Sequence, residues 1–292
     1  MKIFHVNFQH ELVKANKMKA LLRFAAWQVK SIILRRDFVH NWVGGAKFYV
    51  KNGETGLTQN IYVGLAEFED MTFLLHLLQE EDYFIDVGSN SGSYSILAGS
   101  VTHSRVVAIE PVRETYERLL RNLYLNGIEA TTTAMNVGLG SKPGIMTMTS
   151  ALDTTNQIVI GETQNATTQV EITTLDEIAK NMNPTLIKID VEGWETEVLM
   201  GGFKTLQNPS LLGLILELNE HGLRYGFSDS EILKILSIFD FLPYSYNPTS
   251  RTISRLEDKN PNGGNTIFIR NEAEILKRIK KAAKREILGV LI

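Results

Sequence analysis

The chain has 292 residues and no cysteine, with 43% hydrophobic and 22% charged residues and a formal net charge of −3. So ordinary a composition, in a chain long enough to bury a sizeable core, excludes intrinsic disorder, collagen-like structure and a disulfide scaffold. The missing thiols exclude a thiolate zinc site, a CxxC redox pair and a cysteine nucleophile, and they fit a reducing, cytoplasmic setting.

No apolar run reaches the roughly 18 residues of a spanning helix, and the start, MKIFHVNFQHE, is too broken by polar residues to read as a signal peptide. Charge is unevenly placed. Residues 11–37 carry seven Lys/Arg against Glu11 and Asp37, and residues 271–292 carry six against three Glu, so basic ends flank an acidic body. That balance argues against a broad nucleic-acid surface on the body.

In chain order, Met18, Leu21, Leu22, Ala25, Val29, Ile32 and Ile33 recur at helical spacing and predict one long helix over 11–36. Residues 40–65, with aromatics and Gly/Asn turn signals, predict short strands, and 67–80 a helix. From Tyr83 the pattern alternates. Strands are expected at Tyr83–Val87, Arg105–Ile109, Thr131–Val137, Leu186–Asp190 and Leu212–Leu218. Helices are expected at Ser93–Ser100, Arg113–Asn126 and Trp194–Leu206. Residues 141–173, rich in Thr, Gly and Asn, read as hairpins or a loop. Capping boxes at Thr174–Glu177 and Ser228–Glu231 open two further helices, the second running to about Asp240. Weaker strands follow near Ile253 and at Thr266–Ile269. The expected fold is α/β, a parallel Rossmann-like sheet with helices on both faces. A helix and short strands over 1–66 precede it, and a basic amphipathic helix over 271–292 closes the chain.

Ligands of such sheets bind beyond the carboxyl ends of the strands, and four segments there carry chemistry. In Asp86-Val87-Gly88-Ser89-Asn90-Ser91-Gly92, an acid ends the first strand and two glycines allow a tight turn into a helix. The G-x-x-x-G spacing is neither the dinucleotide fingerprint nor a phosphate loop. Asp86 would repel a pyrophosphate but attract an ammonium or sulfonium; a plain helix cap is the bland alternative. Glu110, ending the second strand, suits a ribose diol. Asp190 and Glu192, around the fourth strand's end, could share a proton, orient a hydroxyl or bind a cation. Plain helix-terminal acids are the bland alternative here. Glu217, Asn219 and His221 follow the fifth strand, and His221 is a candidate base near neutral pH. No metal is assigned. A divalent ion, if used, would find oxygen ligands in Asp190, Glu192, Glu217 and Asn219.

Taken together, DVGSNSGSYS, IEP, GLGSKPG, TTLD, IKIDVEGWETEVLMGG and LELNEH resemble the FkbM-family methyltransferases over roughly residues 60–270. That resemblance implies a class I fold, S-adenosylmethionine (SAM) as cofactor and O-methylation of a sugar, glycan or secondary-metabolite hydroxyl. It implies that Asp86, Gly88, Asn90 and Gly92 line the methionine end of the cofactor. Glu110 would then hold the ribose, and Asn136 to Gly140, with Gly138 among them, would lie near the adenine. Asp190, Glu192 and His221 would be the catalytic residues. Ser89 stands where alanine is common, and Ser141 where an acid is. The rival readings are a non-catalytic scaffold and an NAD-dependent oxidoreductase. Thr154, Asn156, Tyr244 and Tyr246 are candidate sugar contacts. The basic ends fit packing on the body, a homo-oligomer, or contact with the anionic inner face of a membrane.

Overall fold

Where short apolar runs alternate with amphipathic ones, the chain builds a mixed eight-stranded sheet. The computed structural model describes residues 10–14, 17–34, 37–50, 57–262 and 264–292. Within these ranges the N-terminal part comprises α1 (Glu11–Lys14), α2 (Lys17–Leu34), β1 (Phe38–Asn41), β2 (Lys47–Val50), α3 (Thr58–Val63) and α4 (Phe68–Leu77). The alternating unit follows: β3 (Tyr83–Val87), α5 (Ser93–Ile96), β4 (Arg105–Ile109), α6 (Arg113–Asn126) and β5 (Thr132–Met135). An excursion contains β6 (Gly138–Leu139), β7 (Gly144–Thr149) and β8 (Thr167–Thr173). The chain then runs through α7 (Leu175–Ile178), β9 (Pro184–Ile189), α8 (Glu195–Met200), α9 (Phe203–Gln207), β10 (Gly213–Glu217) and α10 (Asp229–Ile238). It ends with β11 (Leu242–Asn247), β12 (Thr252–Arg255), β13 (Asn265–Ile269), α11 (Glu272–Lys281) and the short pair β14 (Glu286–Ile287) and β15 (Val290–Leu291).

The strand order is β12-β11-β13-β10-β9-β3-β4-β5. β5, β4, β3, β9 and β10 run parallel, whereas β13, β11 and β12 are antiparallel. The sheet is therefore mixed, not wholly parallel as the alternation suggested. Alternate residues on each strand feed two cores. Phe84 and Leu186 join one with α4, α6 and α11, while Ile85, Val87, Ile187 and Ile189 join the other with α8 and α10. Burial on both faces is why these strands read as near-continuous apolar runs. The N-terminal part adds Leu12, Trp27, Phe48 and Val63 to the first core.

Several expectations change here. Residues 58–63 form α3 instead of a strand. The 194–206 segment is broken into α8 and α9 at Gly201, where a Cβ would lie 2.1 Å from the Gly140 carbonyl oxygen. The final basic segment is helical only to Lys281, then turns into the β14–β15 pair. Its apolar side is not available to a surface: Ile275 and Ile279 are fully buried, and Arg278 pairs with Asp82 at 2.6 Å. α2 does the opposite. It buries Ala20 and Trp27, while Met18, Leu21, Leu22 and Val29 of the apolar stripe are exposed. The side chains of Ile32 and Ile33 lie outside the described residues. Tyr244 and Tyr246 are buried on β11, bonded to Glu272 and His76, and neither reaches the site below. No helix among the described residues is long and apolar enough to cross a membrane.

Candidate active site

The chain leaves β3 toward β4 on one side, and β9 flanks β3 on the other. That reversal opens a crevice at the carboxyl edge. Val87 pairs with Ile109 and Ile189, and Ile189 with Leu216. One residue beyond this row stand Gly88, Glu110, Asp190 and Glu217, on neighbouring strands about 4.8 Å apart. A cavity of about 360 Å³ sits on this edge, lined by Asp86, Gly88, Ser89, Asn90, Glu110, Lys188, Asp190, Glu192 and Glu217. Glu67, Gln59 and Met71 of the N-terminal part, and Met148, Thr154 and Asn156 of β7 and the β7–β8 connection, complete it.

The turn after β3 needs glycine. Gly88 has φ +78°, and a Cβ there would lie 1.9 Å from the Asp190 carbonyl oxygen. Asn90 also takes a left-handed φ of +50°, which asparagine tolerates. Its N–H donates to Glu110 Oε2 at 3.0 Å, and the Val112 N–H donates to Glu110 Oε1 at 2.9 Å. Burial raises the Glu110 carboxyl to about 7 against those two amides. Asp86 Oδ2 accepts from the Ser95 N–H and hydroxyl, at 3.1 and 2.6 Å. Asp86 thus also ties the start of α5, and its burial raises its pKa. Gly92, at φ +94°, is the left-handed residue before α5 and does not line the cavity. Asn136 acts behind Glu110, donating to the Glu110 and Pro111 carbonyls at 2.9 Å. Gly138 lines a small apolar recess beside Pro111, Leu139, Met148 and Trp194.

The other half of the cavity is crowded with acids. Lys188 pairs in register with Asp86, and its ammonium donates to Asp190 Oδ2 at 2.6 Å. Burial opposes that charge, but Asp190, Glu67 and Asp86 outweigh it and raise the Lys188 pKa. Glu192 has φ +56°. Gly193 beside it has φ +99° and packs where a Cβ would meet the His221 carbonyl at 2.6 Å. The turns after β9 and β10 therefore press together, and His221 Nδ1 lies 3.1 Å from Glu192 Oε2. Glu195 Oε1 fixes the first turn by accepting from the Val191 and Gly193 N–H groups. Burial, followed by Asp190, raises Glu192. Glu217 is pushed up to about 8 by burial, then by Asp190, Glu192 and Glu195. Its Oε2 is buried and has no hydrogen-bond partner among the described residues.

The structure thus brings Asp86, Gly88, Asn90, Glu110, Asp190 and Glu192 onto one cavity. His221 joins through Glu192, while Gly92, Asn136 and Gly138 stand around it. Sequence reasoning missed Lys188 and Glu67. Lys188 lies inside an apolar strand, where its two-residue spacing from Asp190 is the available signal. Glu67, which accepts from the Tyr94 hydroxyl, comes from outside the alternating unit and carries no signal. Asn219 does not point to the cluster as a free ligand, because its Oδ1 accepts the His221 N–H at 2.9 Å.

The model of the "Methyltransferase FkbM domain" matches residues 86–246, which run from Asp86 past the end of β10. The chain is 28% identical to the hexuronic acid methyltransferase AglP of Haloferax volcanii, over 59% of this chain and 68% of that one. It is 25% identical to the methyltransferase sdnD of Sordaria araneosa, over 46% of this chain and 65% of that one. Among solved structures, a precorrin-6y C5,15-methyltransferase from Geobacter metallireducens GS-15 superposes with a TM-score of 0.43 at 12% identity, covering 76% of this chain and 93% of that one. With more than half of its length matched by the family model, this chain belongs to the FkbM methyltransferase domain family.

Proposed function

We propose that the protein is a SAM-dependent O-methyltransferase acting on a hydroxyl of a sugar, with a hexuronic acid or a glycan containing one as the favoured acceptor class. The observation that carries the cofactor assignment is the donor set of the cavity. Asp86, Glu110 and Asp190 surround a Gly-rich turn with Lys188 as the neighbouring cation. Those carboxylates suit a sulfonium, an amino group and a ribose diol, and would oppose a pyrophosphate. The same argument weighs against the oxidoreductase reading. SAM supplies an activated methyl group on sulfonium. Glu110 would take the ribose hydroxyls, Asp86 and Asn90 the methionine end, and the apolar recess by Gly138 the adenine. The acceptor class rests on the relative AglP, which is named for hexuronic acid.

In this reading Asp190 faces the cavity and takes the acceptor hydroxyl proton at Oδ1 or Oδ2, while Lys188 fixes its orientation. Positioning the hydroxyl in line and excluding water supply most of the acceleration, and the base adds about 10²–10⁴-fold. The test is calorimetric titration with SAM, S-adenosylhomocysteine and NAD, followed by methyl transfer to a panel of uronic acids. Adenosyl ligands should bind and NAD should not. Glu110→Ala should weaken them about ten- to a hundredfold, since each hydrogen bond to a charged group is worth about 1.5–3 kcal/mol. Asp190→Asn should lose about 10²-fold or more in turnover, with a smaller loss of S-adenosylhomocysteine affinity than Glu110→Ala. Wild-type turnover in Asp190→Asn would remove the base assignment, and absent adenosyl binding would favour the scaffold reading.

The location of the acceptor belongs to the same proposal. The exposed Met18, Leu21, Leu22 and Val29 of α2 lie in a segment with a clear excess of Lys and Arg. Apolar residues flanked by basic ones suit an anionic bilayer surface. Co-sedimentation with phosphatidylserine vesicles should fall steeply between low and physiological salt, and should be lost in Leu22→Glu. Concentration-dependent dimerisation without vesicle binding would instead assign the face to a second copy of the chain.

A further inference from the structure

The proposed methyl transfer makes no use of Glu192, Glu217 and His221. One donor atom from each lies within 4.8 Å of the other two. Glu192 stands in the turn after β9, Glu217 ends β10 and His221 stands in the turn beyond it, and Gly193 allows the two turns to touch. Glu217 Oε2 is a buried acceptor with no donor among the described residues, an expensive arrangement unless something else supplies the missing partner. Lys188 donates to Asp190 and makes no hydrogen bond to this oxygen. Among the described residues lining the cavity it is the sole cation, against the carboxylates of Glu67, Asp86, Glu110, Asp190, Glu192 and Glu217.

We propose that Glu192, Glu217 and His221 bind a divalent cation, of the Mn²⁺ type, at the acceptor end of the cavity. Donors about 2.1 Å from a metal lie about 3–4 Å from one another, so the observed cluster needs only slight closure. Two carboxylates and one imidazole form a mixed oxygen–nitrogen set. Carboxylates alone would suit Mg²⁺ or Ca²⁺, and the imidazole shifts the preference toward a first-row transition ion. Three protein ligands leave coordination positions open, and two of the three, Glu192 and Glu217, line the cavity. A cation there resolves two difficulties at once. It neutralises the carboxylates beside Asp190, and it gives an acidic or polyhydroxylated sugar a positive partner in a cavity that would otherwise repel a uronate. The acceptor role rests on the proposed methyl transfer; the cation site itself does not.

The test uses the full chain, stripped with chelator and titrated with MnCl₂ alone by calorimetry and by the electron paramagnetic resonance signal of free Mn²⁺. One Mn²⁺ per chain should bind at micromolar concentration, at least tenfold more weakly in Glu192→Gln, Glu217→Gln and His221→Ala. Glu114→Gln, on the exposed side of α6, should change the affinity less than threefold. Glu192 sits in a turn at the cavity's edge, so Glu192→Gln carries the test if Glu217→Gln does not fold. Absence of stoichiometric Mn²⁺ binding, or wild-type affinity in Glu192→Gln and His221→Ala, overturns the site. A parallel titration with S-adenosylhomocysteine separates the two ideas. Adenosyl binding without Mn²⁺ binding removes this inference and leaves methyl transfer standing, and the reverse removes methyl transfer alone.

Discussion

At the scale of single residues, the site depends on positions where a side chain is forbidden as much as on those where one is required. Gly88 combines a left-handed φ of +78° with a Cβ position 1.9 Å from the Asp190 carbonyl oxygen. Gly88→Ala must therefore displace the turn after β9. We expect a loss of about 2 kcal/mol or more and loss of adenosyl binding, read by thermal unfolding and calorimetry. An unchanged melting temperature with intact affinity would contradict the packing described. The acids ending strands are legible in the sequence because an ionisable residue closing an apolar run stands out. Lys188 is not, since a lysine within such a run is readable only once its partner Asp190 is known to share its face. Glu217 and His221 stand out together by their alternating spacing, but their convergence on Glu192 depends on how the turns after β9 and β10 pack, and spacing along the chain does not encode that.

At the scale of elements, the parallel strands are readable because burial on both faces leaves them little choice of residue. β11 is not, because Leu242-Pro243-Tyr244-Ser245-Tyr246 looks like a loop until β13 supplies a neighbour. α2 shows a further limit. Periodicity finds the helix, but its more continuous apolar stripe faces outward while Ala20 and Trp27 face the core. The contact of α4 with β11 carries a pH prediction. His76 is buried with Nδ1 on the Tyr246 hydroxyl, and burial, aided by Arg251 and Arg285, lowers its pKa to about 3. The unfolded chain therefore binds a proton near pH 6.5 that the folded chain refuses. This group's contribution to stability is complete above pH 6.5 and is lost as the pH falls from there toward 3. Urea unfolding at pH 7 and pH 5 should show a smaller drop in His76→Gln than in the wild type. Equal drops would place the acid sensitivity elsewhere.

At the scale of the whole molecule, the two cores lie on opposite faces of one sheet and draw on distant parts of the chain. The first needs Leu12, Phe48 and Val63 from the N-terminal part, together with Ile275 and Ile279 from α11. The second is closed by α8, α10 and the β6–β8 excursion. The strand order has a consequence for anyone trimming the protein. β13 lies between β10 and β11, although it follows both in sequence. A chain cut after residue 246 would keep the whole matched family segment, yet lose β12 and β13 and leave β11 without a neighbour. β10, which carries Glu217, would then become a bare edge, open to pairing with another copy. The recognisable stretch is therefore not a unit that folds alone, and the final residues act as the keystone that locks the acidic end of the cavity in place.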